Sequence, residues 1–119
     1  MAVTVAGAGS YLGAVRPVAP VDRDGVTDVV HQLVATERAL DKLAARGISA
    51  DEPPQLRHDR YAVLRNPRDP ERRRFLIGST DGGRVLTFVI ERTVDPTTWL
   101  IVTGWDATAA ERRILSRRR

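Results

Sequence analysis

An α+β domain carrying a four-stranded antiparallel sheet is predicted by three features of the chain. Near residue 60 the spacing of apolar residues changes from helical to alternating. Asp81-Gly82-Gly83 then separates two strongly apolar runs, a tight hairpin signal. Thr108 and Glu111 stand at capping-box spacing before a last helical segment. Runs of helices followed by runs of strands argue α+β rather than α/β. A length of 119 residues leaves room for one domain.

The elements follow in order. Residues 1–21 are small, apolar and interrupted by Arg16 and Pro17, unlike a signal peptide, and are expected to form a flexible arm. Residues 22–119 are then the single folded domain. Asp22 and Asp24 can cap a first helix whose apolar stripe is Val26, Val29, Val30, Leu33, Leu40, Leu43 and Ala44, interrupted at Thr36 and Glu37. Gly47 supplies the left-handed residue that ends it. Ser49 and Glu52 have capping-box spacing, but Pro53 and Pro54 allow no more than a short second helix.

Four strands are expected next, over residues 60–65, 73–80, 84–92 and 99–103, the third apolar on both faces and so central. Residues 66–70 and 94–97 read as turns. The last helix is expected to face Ala110, Ile114 and Leu115 inward, with Asp106 near its cap and arginines at its negative end. One sheet face is covered by helices in this arrangement and the other stays open.

Charge narrows the function classes. Of 19 basic residues only Lys42 is a lysine, and the arginines gather at 57–74 and 112–119. Arginine's planar fork matches phosphate bidentately, so a phosphate-rich partner is indicated, although a GC-rich genome enriches arginine without any such role. Absence of cysteine excludes disulfides and thiolate metal sites and suits a reducing cytoplasm. With His31 and His58 the only histidines, no metal and no small-molecule cofactor is expected. No stretch approaches the length of a membrane span.

Three strings in this order and spacing carry a family resemblance: KLAARGISADE (42–52), ERRRFLIGSTDGGRVLTFVIER (71–92) and IVTGWDATAAER (101–112). They are similar to the helix junction, the E-R-F-x-x-I-G strand, the strand ending in arginine and the I-S-A-R-x-A-T-x-x-E corner of BrnT toxins, which have a RelE-like fold. The resemblance covers about residues 26–115. It implies the toxin of a type II toxin–antitoxin pair: a metal-independent endoribonuclease, or mRNA interferase, silenced by a ribbon-helix-helix antitoxin. Carried onto this chain, the catalytic positions are Arg74 in the E-R-F string, Arg92 at the end of the third strand, and Arg46, which replaces the histidine before Gly47. The arginine of I-S-A-R falls on Trp105, so a catalytically inactive protein that binds RNA or the antitoxin is the alternative.

In-line cleavage by a 2′-hydroxyl needs proton transfer and cations where charge builds on phosphate. Adjacent strands would let Arg74 and Arg92 converge on one phosphate; salt bridges to Glu71, Glu91 or Asp69 are the other outcome. His58, in a charged loop, is the sole histidine acid or base expected near the sheet, and reads first as a surface residue. Lys42 reads as a solvated helix-face lysine before a proton donor. Arg60, Arg65 and Arg73 flank the first strands and are expected to bind RNA. Trp99 and Trp105, six residues apart, should share a face of an unbroken strand. They read as core or interface first, and as a base-stacking platform second.

Overall fold

The computed structural model describes residues 3–6, 28, 30–56 and 61–117. Its elements are β1 (Val3–Ala6), β2 (Gln32–Thr36), α1 (Glu37–Ala45), a 3-10 turn (Pro53–Gln55), β3 (Tyr61–Arg65), β4 (Arg73–Ser79), β5 (Val85–Arg92), β6 (Thr98–Asp106) and α2 (Ala109–Ser116). The class is α+β. The expected antiparallel meander is present as β3–β6, each strand starting within a residue of its predicted place. It belongs to a larger mixed sheet, β2-β6-β5-β4-β3, extended at one edge by β1.

Two expectations are corrected at the start of the chain. The first helix does not run through as one element: residues 32–36 are a strand parallel to β6, with Leu33 beside Trp99, and among the described residues before Gly47 only 37–45 are helical. Leu33 and Ala35 are buried while Gln32 and Val34 are half-buried, so this segment obeys a period of two. Thr36 and Glu37, which broke the helical stripe, mark the true boundary. Thr36 is the N-cap, its Oγ accepting from the Ala39 N–H at 3.1 Å. Within the expected arm, residues 3–6 pair with β2 as an edge strand. The expected Asp22 and Asp24 caps and the apolar Val26 and Val29 lie outside the described residues.

The C-terminus of α1 follows its sequence signals. Ile48 N–H donates to Leu43 O at 2.9 Å and Gly47 N–H to Ala44 O at 3.0 Å, with Gly47 at φ +74°. This is a Schellman closure, and Ile48 and Leu43 enter the same core.

The helices lie on opposite faces of the sheet, not on one. The inner face contributes Val63, Leu76, Leu86, Phe88, Ile90, Trp99 and Ile101, sealed by Ala39 and Leu43 of α1 and by Ile48 and Leu56. α2 packs on the outer face, where the Glu111 carboxylate takes the Thr87 hydroxyl at 3.0 Å. Thr108 and Glu111 form the expected capping box. Ile114 and Leu115 are half-buried as amphipathic packing requires, but Ala110 is exposed rather than inward. Asp106 does not cap this helix; it is paired with Arg84.

Arg84 ties the end of the β4–β5 hairpin to the rest. It holds Asp106 with two bonds of 2.7 and 3.0 Å, both oxygens of Glu52 at 2.9 Å, and the Gly47 carbonyl at 2.9 Å. The Ser49 N–H first, and then Arg84, hold the Glu52 carboxyl below its ordinary range; Arg84 does the same for Asp106. Carboxyls lowered in the folded state stabilise it above the unfolded pKa and stop doing so as the pH falls through the folded value. We therefore expect stability to hold above about pH 5 and to decline below it. Denaturant titrations at neutral and acid pH should show a smaller acid decline in Arg84→Met than in wild type.

Candidate nucleic-acid interface

On the outer face, α2 spans β3 and β4 and leaves a second part of the sheet that no other described helix covers. Arg73 and Phe75 project there from β4, one intervening residue apart and so about 7 Å along the strand. Val89 lies opposite Phe75 on β5, with Thr103 beyond it on β6. A cavity of about 390 Å³ sits over these residues, walled by the turn Asn66, Pro67 and Arg68 and by Trp105. Phe75 meets Trp105 edge to face, centroids 6.3 Å apart and planes at 68°.

Trp105 reaches this face through an irregularity. The β5–β6 register shifts between Val89 and Ile90, so Ile90 opposes Ile101 while Val89 opposes Thr103. A bulge of this kind breaks the two-residue alternation. Trp99 is thereby fully buried in the core and Trp105 is half-buried on the outer side, which overturns the expected shared face. The Trp105 indole N–H donates to Glu111 at 3.1 Å. Because the same Glu111 oxygen closes the α2 capping box at Thr108 N–H, 2.8 Å, helix and indole hold each other in place.

A second cavity, about 370 Å³, adjoins the first and shares Arg73 and Val102 with it. Its other walls include Arg38 and Lys42 of α1 and Glu91 of β5. Arg73 Nε donates to Glu91 at 3.1 Å. The side chains of Arg38, Lys42 and Arg68 make no hydrogen bond or ion pair among the described residues, so their charge faces the open space.

The three arginines expected to be catalytic are not gathered around an open site. Arg74 and Arg92 do converge, but on a carboxylate of the protein itself: Arg74 Nε is 2.9 Å from one oxygen of Asp28 and Arg92 Nη2 is 3.6 Å from the other. Arg74 is 3% exposed and also donates to the carbonyls of Pro70 and Arg73 at 2.6 and 2.9 Å. Its guanidinium is a buried structural group, held as such groups must be. Arg92 stacks 4.9 Å over the Trp99 ring and donates to the Glu71 carbonyl at 3.2 Å. Arg46 caps α1 and donates to the Gly104 carbonyl at 3.1 Å, away from the other two. Tyr61 lies in the same buried region as Asp28. Burial pushes its phenol up to about 12, with the Val30 backbone acting against this and Asp28 adding to it.

Of the residues expected to contact RNA, Arg73 and Trp105 share one cavity. Arg65 is exposed at the end of β3, in register with Arg74 and therefore on the other side of the sheet from Arg73. Arg60 and His58 lie outside the described residues. His31 is not in a helix; it precedes β2, its N–H donating to Thr97 O at 2.8 Å. Sequence reasoning passed over Phe75, Arg68 and Arg38. Period two from Arg73 would have found Phe75, whereas Arg68 and Arg38 are placed by a turn and by the late start of α1.

No group of histidine, aspartate and glutamate suited to a metal ion occurs among the described residues, and none of the described helices is long and apolar enough to cross a membrane. Comparison with family models, curated proteins and solved structures returned no match.

Proposed function

We propose that the protein binds single-stranded RNA on the outer face of its sheet, as the toxin-like partner of an antitoxin in a type II pair. The carrying observation is the cleft where the Phe75–Trp105 aromatic pair is framed by Arg68 and Arg73. Aromatic faces accept any unstacked base, and flanking guanidiniums accept the phosphates, so such a cleft favours single strands over duplexes. The BrnT-like strings support the toxin–antitoxin setting. The binding-only form is preferred to the endoribonuclease because Arg74 and Arg92 already have a carboxylate partner and Trp105 stands where the family has arginine.

The test is fluorescence anisotropy with a labelled single-stranded RNA in EDTA, the same mixtures being run on a gel. Phe75→Ala and Trp105→Ala should each weaken binding roughly 5- to 150-fold, the stacking of one base. Trp105→Phe should recover most of the loss. Melting curves separate this from unfolding. Wild-type affinity in both alanine variants would remove the cleft from the site. Cleavage by wild type in EDTA would restore the nuclease.

A further inference from the structure

The cavity beneath α1 has no role in a reading that stops at the aromatic cleft. It is of nearly the same size, shares Arg73 and Val102 with that cleft, and is lined by two cations that have no partner among the described residues. Its one carboxylate, Glu91, is already taken by Arg73 at 3.1 Å and by Arg72 at 3.5 Å. Lys42 and Arg38 both stand on α1, four residues apart and therefore on one helical face. That face is exposed, because the buried stripe of α1 is Ala39 and Leu43. There is little aromatic surface here for a base; the chemistry is that of a phosphate seat.

Resting on the RNA reading, we infer that the α1 cavity is a second, phosphate-binding subsite of the same site. The single strand crosses Arg73, with a base on Phe75 and Trp105 and the phosphodiester of a neighbouring nucleotide at Arg38 and Lys42. Arg73 is the hinge cation between them. Its Nε is fixed by Glu91, while its terminal amino groups make no hydrogen bond among the described residues. The site therefore measures length: a mononucleotide fills only the cleft, and a longer strand engages both subsites. Glu91 is a built-in competitor that keeps isolated anions from occupying Arg73 strongly.

A length series of oligouridylates from one to six nucleotides, titrated into wild type and into the Arg38→Ala/Lys42→Ala double variant, tests this. In wild type the affinity should step upward at the length that first spans both cavities. In the double variant the step should vanish while mononucleotide binding stays unchanged. For the hexamer, the slope of log K against log salt should become shallower by about 0.7, the loss of one phosphate contact on a single strand. Both substituted residues are exposed, and an unchanged melting temperature verifies the fold. A double variant with the wild-type step and slope overturns the second subsite but leaves the aromatic cleft standing. Absence of binding at every length in wild type overturns the RNA reading itself.

Discussion

Asp28→Ala is expected to lower the unfolding free energy by about 3–5 kcal/mol, because it leaves the buried Arg74 guanidinium without its counter-charge. Both partners are almost fully inaccessible, each 4% exposed at its side chain, so water cannot replace the lost carboxylate. Arg92 loses its ion pair by the same change, though it keeps the Trp99 face and the Glu71 carbonyl. The double substitution Asp28→Leu/Arg74→Met should recover most of the loss, since an apolar pair of similar volume removes both buried charges at once. Urea denaturation of wild type, Asp28→Leu, Arg74→Met and the double variant provides the cycle, with Asp28→Ala measured beside it. A single-variant effect within about 0.5 kcal/mol, the range of an unremarkable surface change, would show that the pair does not hold residue 28 to the sheet. The same experiment separates stability from the proposed function: any loss of RNA binding in Arg74→Ala has to be read beside its folded fraction.

Gly104→Ala is the second large effect, expected at about 1–3 kcal/mol of destabilisation. A methyl on Gly104 would sit 2.6 and 2.9 Å from the Phe88 ring and 3.1 Å from Leu43 Cδ2. Phe88 is completely buried and Leu43 anchors α1, so neither can retreat without opening the core. Adding Phe88→Leu should soften the clash, and the two substitutions should couple rather than add. Additivity, or a Gly104→Ala midpoint equal to wild type, would show that α1 stands farther from the sheet than described. Because Gly104 also gives its carbonyl to Arg46 and precedes Trp105, the aromatic cleft should report this strain as weaker RNA binding.

How much of this was legible in the chain depends on whether the deciding contact is local. The meander could be read because β3–β6 alternate in place and Asp81-Gly82-Gly83 closes its hairpin within four residues, Thr80 N–H meeting Arg84 O at 2.8 Å. The α2 cap could be read because Thr108 and Glu111 satisfy each other. β2 could not: over five residues, Leu33 and Val34 fit either period, and only pairing with β6, some 66 residues later, selects the strand. Arg74 misled for the same reason, since its partner Asp28 is 46 residues away and no local spacing announces it. The basic cleft was half visible. Arg73 and Trp105 were singled out by charge and by their departure from a family pattern, but nothing in the sequence placed them on one face.

That placement depends on a single extra residue in β6. Without the register shift at Val89 and Ile90, every side chain after it would exchange sides, with Trp105 turned into the space under α1 and Gly104 turned outward. There is no room for an indole where Phe88 and Leu43 already close on a glycine. The irregularity is therefore what permits one strand to carry a tryptophan to each side of the sheet, Trp99 anchoring the interior and Trp105 lining the outer cleft. Deleting Val102, the residue that the bulge leaves without a partner on β5, would straighten β6 and keep both tryptophans on their present sides; filling its place on β5 by regular pairing would turn the cleft inside out.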